Sequence, residues 1–189
     1  MQRAVFLDRD GTISEEAGYI NHIDRFHVYS CTPGAIKKLN DAGWLVILAT
    51  NQSGIARGYF PESLMHQVHG SLQTQLACAG AHLDAIYYCP HLAGGAVPEY
   101  SNSCDCRKPK IGMLLKAAED FQLDLPSCFV VGDRYVDIET AHNAGARGVF
   151  VLSGYGKGEH LYLSPKWPRQ PAYIAQDLSA AVDWILQNE

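Results

Sequence analysis

The sequence predicts an α/β fold with a doubly wound parallel sheet, and three observations carry that prediction. Short segments at Ala4–Leu7, Trp44–Ala49 and Cys128–Val131 are apolar without alternation, as strands covered on both faces are. Segments with apolar residues at helical spacing lie between them, so strand and helix alternate and right-handed crossovers place helices on both faces. The strands also end in polar or acidic residues, at the edge where open α/β sheets bind ligands.

Taken in order, Ala4–Leu7 opens the sheet, Asp8 closes that strand, and Gly11-Thr12 turn the chain. Pro33 to Ala42 carries Ala35, Ile36, Leu39 and Ala42 near helical spacing, and Gly43 stops it. The strand Trp44–Ala49 breaks at Thr50-Asn51-Gln52-Ser53-Gly54, and Pro61 to Cys78 reads as a long helix. Ala85–Tyr88 is a third strand, followed by a non-periodic loop rich in Gly, Pro and Cys from Cys89 to Pro109. Gly112–Phe121 is helical, Cys128–Val131 a strand, Val136–Ala144 a helix, Val149–Leu152 a strand and Leu178–Leu186 a closing helix. Tyr155 to Trp167 has no clear period and is expected to be a surface loop.

The 189 residues suffice for one α/β domain with a sizeable core and are too few for two ordinary ones, so a single domain over 1–189 is expected. A net charge of −5 without a basic run argues against nucleic acid as the main ligand. No apolar stretch has the length of a membrane span. Met1 leads almost directly into a strand and leaves no room for a signal peptide, so a cytoplasmic protein is expected. There the six cysteines should be thiols or metal ligands.

In a parallel sheet the strand ends share one edge. Asp8, Asp10, Thr50, Asp133 and Asp137 can therefore gather in one crevice with Lys108 and the neighbouring Arg107 and Arg134. Singly, Asp8 and Asp10 could be no more than a turn and a helix cap. Together with Asp133 they suit a hard octahedral cation such as magnesium, and a carboxylate can also attack phosphorus. Three carboxylates facing a phosphate dianion carry about five negative charges; magnesium, Lys108 and a protonated Asp10 bring that to about one, a balance fit for phosphoryl transfer.

Cys89-Pro90-His91 and Cys104-Asp105-Cys106 offer two pairs of soft ligands in the irregular loop. Four such ligands suit tetrahedral zinc, and a closed shell makes the site structural. The bland alternative is reduced surface cysteines beside a stray histidine. Cys31, Cys78 and Cys128 lie in or beside apolar patterns and are expected to pack. His22, His27, His66, His69 and His82 show no ligand spacing, so surface or packing roles are expected for them.

"DRDGT" at 8–12, "TNQSGIARG" at 50–58, "RKP" at 107–109 and "GDRYVDI" at 132–138 resemble, in order, the four motifs of the haloacid dehalogenase (HAD) superfamily of phosphatases. The resemblance implies that Asp8 is the nucleophile and Asp10 the acid, then the base. It implies that Thr50 and Lys108 hold the phosphoryl group, and that Asp133 completes a magnesium site with Asp8 and the Asp10 carbonyl. Asp137 is then expected behind these, positioning Lys108 or a metal-bound water. The segment between the second and third motifs, about 59–106, holds one helix, one strand and the zinc loop, so no large cap domain is expected.

The zinc loop, "YYCPH" at 87–91 and "EAGYI" at 16–20 resemble a narrower family, the D-glycero-D-manno-heptose 1,7-bisphosphate 7-phosphatases, close relatives of the histidinol-phosphate phosphatases. That resemblance implies substrate contacts from Glu16, Ala17, Gly18, Tyr19, Asn51, Gln52, Ser53, Arg107, Lys108 and Arg134. It implies action on a small sugar phosphate, supplying heptose for lipopolysaccharide; a monomer with no nucleic-acid or membrane partner is expected. Histidinol phosphate is the alternative substrate. A phosphate-binding module without turnover and a zinc-dependent nucleic-acid binder are the readings from other classes. The first could dispense with Asp10 or Lys108, both present here, and the acidic balance counts against the second.

Overall fold

A computed structural model describes residues 2–188. Its centre is a six-stranded sheet in which every neighbouring pair is parallel. The strands are β1 (Ala4–Leu7), β2 (Leu45–Asn51), β3 (Ala85–Cys89), β4 (Phe129–Gly132), β5 (Arg147–Val151) and β6 (Tyr173–Ala175), in spatial order β3-β2-β1-β4-β5-β6. The helices are α1 (Thr32–Asp41), α2 (Glu62–Cys78), α3 (Gly112–Phe121), α4 (Tyr135–Ala144), α5 (Gly156–Leu163) and α6 (Leu178–Gln187).

Alternate side chains of the apolar strands face two separate cores, which is why those strands carry no polar face. Val5 and Leu7 of β1 join Val46, Leu48, Val131 and Val149 beneath α1, α2 and α6, through Ile36, Leu39, Leu72 and Ile185. Ala4 and Phe6 face the other way, with Ile47, Ala49 and Val130, against Met113, Leu114 and Ala117 of α3 and Ala141 of α4. The chain winds outward from β1 through β2 to β3, then returns to β4 on the other side of β1. The direction of winding reverses between β1 and β4, which leaves a crevice beyond their carboxyl ends. Among the described residues, no helix is long and apolar enough to cross a membrane.

The structure corrects the sequence reading in three places. Tyr155–Trp167, expected as a surface loop, contains α5 and a following 3-10 turn at Ser164–Lys166. Trp167 is buried, stacked on Tyr135 with ring centroids 5.0 Å apart and close to Phe150. Within α5 only Gly156 is buried, so no apolar stripe announces the helix. A Cβ at Gly156 would lie 1.9 Å from the Val151 carbonyl oxygen, so only glycine allows this approach to β5. Strand β6 was not foreseen, because three residues at a sheet edge carry too little pattern. Cys78, expected to pack, is exposed at the end of α2, whereas Cys128 is buried.

Candidate active site

Asp8 follows β1, and its backbone N–H donates to the Val131 carbonyl at 3.0 Å, continuing the β1–β4 ladder by one residue. This brings it beside Asp133, which follows β4. The loop after β1 packs closely here: Gly11 has φ +82°, and a Cβ on it would lie 2.1 Å from Asp133 Oδ2. Asp137 lies in the first turn of α4, where its Oδ2 accepts the Arg134 N–H at 3.4 Å. Carboxylate oxygens of Asp8, Asp133 and Asp137 lie within 4.8 Å of one another.

Lys108 is buried between two of these acids, with Nζ 2.7 Å from Asp8 Oδ1 and 2.5 Å from Asp137 Oδ1. Its place is set by Asn51, at the end of β2, which exchanges two 3.1 Å hydrogen bonds with the Lys108 backbone. Burial alone would lower the lysine's pKa, but Asp137 and Asp8 outweigh it and hold the pKa above its usual value. Burial raises Asp8 to about 7 even against the pull of Lys108. It raises Asp133 to about 8, with Asp8 and Asp137 adding to the effect.

Three clustered carboxylates thus share a single ammonium. Asp133 Oδ2 accepts the Tyr155 N–H at 2.8 Å, while its Oδ1 is buried without a hydrogen-bond partner. An orphaned carboxylate oxygen at the centre of excess negative charge fits a hard cation with oxygen ligands. Asp10 stands apart from this cluster. Its carboxylate accepts from Arg9 Nε and Nη2 and from Gln52 Nε2.

A pocket of about 450 Å³ opens above the cluster, walled by Asp8, Asp10, Thr50, Lys108, Arg107 and Arg134. Of the residues expected to contact substrate, Glu16, Gly18, Tyr19, Asn51, Gln52 and Ser53 also line it. Ala17 does not; its carbonyl accepts from Arg25 at 2.7 Å. Glu16 accepts the Gly18 N–H at 2.6 Å, and burial raises its pKa. The buried Thr50 Oγ1 accepts from Gln52 Nε2 at 3.0 Å. Arg107 Nη1 donates to the His91 carbonyl at 3.4 Å, and Arg134 Nε to Glu159 Oε1 at 3.0 Å.

Below Arg107, the side chains of Cys89, His91, Cys104 and Cys106 converge, with ligand atoms within 4.8 Å of one another. Cys104 Sγ lies 3.4 Å from that of Cys89 and 3.2 Å from that of Cys106, and His91 Nδ1 lies 3.4 Å from Cys106 Sγ. Those are edges of a small tetrahedron, and three sulfurs and one imidazole nitrogen are a donor set compatible with a metal ion.

The sequence reading did not single out Arg9, His69 or Glu159 for roles at this site. Arg9 stands between two aspartates in the sequence, a visible signal, but its partners are Asp10, Gln52 and His69. Glu159 reaches the site from α5, and no local pattern announced it. Of the five unassigned histidines, His69 is buried at Arg9, and His22, His27, His66 and His82 are exposed.

Comparison with known proteins gives these geometries a family. The HAD-hydrolase-like family model matches residues 105–181. The chain is 46% identical over 190 residues to the D-glycero-D-manno-heptose-1,7-bisphosphate 7-phosphatase of Thermosynechococcus vestitus, covering 96% of this chain and 94% of that one. It is 37% identical over 185 residues to the D-glycero-beta-D-manno-heptose-1,7-bisphosphate 7-phosphatase of Escherichia coli K12, covering 98% and 88%. A solved structure of D,D-heptose 1,7-bisphosphate phosphatase from B. bronchiseptica, complexed with magnesium and phosphate, superposes over the whole of both chains with a TM-score of 0.87 at 32% identity. A six-stranded parallel sheet with an acidic crevice at its reversal point, matched along nearly its full length to these enzymes, makes the chain a phosphoric monoester hydrolase that belongs to the heptose bisphosphate phosphatase family of HAD-like hydrolases.

Proposed function

We propose that the protein removes the 7-phosphate of D-glycero-D-manno-heptose 1,7-bisphosphate in a magnesium-dependent reaction, supplying heptose for lipopolysaccharide in the cytoplasm. The observation that carries the substrate is the pair Arg107 and Arg134 on the pocket wall beyond Lys108. A single phosphate is served by Lys108, Thr50 and a cation. Two further guanidinium groups suit a second anionic group, through charge-assisted and often bidentate contacts.

In this reading a carboxylate oxygen of Asp8 forms a bond to phosphorus as the bond from phosphorus to the sugar oxygen breaks. The electron pair leaves on the sugar oxygen, which takes a proton from Asp10. A water molecule then attacks the aspartyl-phosphate and gives its proton to Asp10, and the Asp8 carboxylate is restored. Lys108 and Thr50 hold the phosphoryl oxygens, and Asp137 keeps the lysine charged and aimed. Asp8, Asp133 and the Asp10 carbonyl would hold magnesium, which would supply charge neutralisation at the phosphoryl group. The Cys89, His91, Cys104 and Cys106 cluster is assigned to structural zinc, because three thiolates and an imidazole leave no position for water.

The test is turnover of heptose bisphosphate and histidinol phosphate side by side with magnesium present. The expected result is a strong preference for the bisphosphate, and a preference for histidinol phosphate overturns the assignment. Trapping the phosphorylated enzyme should place the label on Asp8. Label on a histidine or serine overturns the mechanism.

A further inference from the structure

Arg9 is among the largest fully buried side chains of the protein, with 2% of its surface exposed. A guanidinium cannot shed its charge and is costly to bury, so its partners must be well placed. Four of its five N–H donors have partners. Nε donates to Asp10 Oδ1 at 3.1 Å, and Nη2 to Asp10 Oδ2 and to Gln52 Oε1, each at 2.9 Å. Nη1 lies 3.2 Å from His69 Nε2 on α2. The guanidinium only donates, so that nitrogen of His69 must accept; burial and the arginine's charge keep the imidazole neutral by lowering its pKa to about 3.

The consequence falls on Asp10. A carboxylate offers about four lone-pair sites. Oδ1 accepts one hydrogen bond, from Arg9 Nε, and Oδ2 accepts two, from Arg9 Nη2 and Gln52 Nε2. One acceptor site remains, on Oδ1, and the Asp10 carboxylate lines the pocket. We infer that Arg9, braced by His69 and Gln52, is a positioning residue that leaves Asp10 a single place, on Oδ1, from which to exchange the proton. Arg9 is buried and is not among the residues that line the pocket. It acts by fixing the plane of the carboxylate, since proton transfer falls steeply when donor and acceptor are misaligned. A lysine cannot replace the two-pronged contact with a single ammonium.

The inference rests on Asp10 being the acid and base of the proposed reaction, and the experiment separates the two claims. Arg9→Lys, Arg9→Gln and Asp10→Asn are compared on the sugar bisphosphate, whose alkoxide needs a proton to leave, and on p-nitrophenyl phosphate, whose phenolate does not. For the Arg9 variants, kcat on the sugar should fall on the order of 100-fold with KM nearly unchanged. On the aryl ester, the first turnover should stay within about threefold of wild type, followed by accumulation of phosphorylated Asp8 because water is no longer deprotonated. Equal losses on both substrates, with no burst, would make Arg9 purely structural and overturn the inference. If Asp10→Asn itself shows no dependence on the leaving group, the assignment of Asp10 falls and this inference with it.

Since a buried arginine can be needed for folding, the second arm works from α2. His69→Leu removes the acceptor for Nη1 and should reproduce the burst in weaker form, whereas His69→Gln supplies another acceptor and should recover most of the lost rate. Identical behaviour of the two variants overturns the role of the bracing network.

Discussion

The acidic crevice and the Cys/His loop meet at Cys106-Arg107-Lys108, yet they are built on opposite plans. The crevice takes Asp8 from the end of β1, Thr50 from β2, Asp133 from the end of β4 and Asp137 from α4. It is held by two apolar cores that exist for other reasons, and its three clustered carboxylates share a single ammonium. The Cys/His loop draws its four converging side chains from eighteen consecutive residues, and after Cys89, the buried end of β3, that stretch holds only a short 3-10 turn at Pro98–Tyr100. The difference teaches where rigidity comes from in each region. Strand ends are positioned by the sheet whatever they carry, so the crevice can afford strained electrostatics. The loop is positioned by its ligands, so it should lose its shape when they are removed.

The largest effect that tests this contrast is at Asp8. Asp8→Asn should lower turnover on the order of 10,000-fold, because the amide is a poor nucleophile, while circular dichroism and melting temperature stay close to wild type. A variant that loses its fold would show that the crevice charges hold the sheet together, and the contrast would break.

Next comes the loop. Cys106→Ser, or removal of the loop metal with magnesium restored afterwards, should lower turnover on the order of 100-fold, because Lys108 lies two residues from the last ligand. Amide hydrogen exchange should rise across residues 89–110 and change little in β1, β2 and β4. Full activity in protein shown by elemental analysis to lack zinc would uncouple the two regions.

Arg107→Ala sharpens the comparison, since this side chain bridges loop and pocket through the His91 carbonyl. The loss on a sugar bisphosphate should be about 30-fold in kcat/KM and only about threefold on the matching monophosphate. Equal losses would assign Arg107 to the loop alone.

The smallest expected effect is at Glu159, whose Oε1 accepts from Arg134 and whose Oε2 accepts the Tyr135 N–H. The Arg134 side chain is 56% exposed, so the ion pair itself contributes little to stability. Glu159→Ala should raise KM for the bisphosphate by about threefold with the melting temperature nearly unchanged. A large drop in melting temperature would show instead that Glu159 chiefly holds the start of α4.

The amino-acid sequence by itself determined the parallel sheet, because strands buried on both faces must be apolar throughout, and Ala4–Leu7 and Phe129–Val131 are. It also displayed the four Cys and His residues that converge in the loop, whose spacing is a local signal. Local pattern did not reach α5 and β6: the first buries only a glycine, and the second is a three-residue edge strand. Apart from Asp137 beside Lys108, which the family resemblance implied, only the tertiary structure decided which partners these charges have. Lys108 and Asp8 are 100 residues apart, Arg9 and His69 are 60, and Arg134 and Glu159 are 25. Ion pairs and hydrogen bonds act over a few ångströms, and no periodicity along the chain records which distant side chains the crossovers bring within that range.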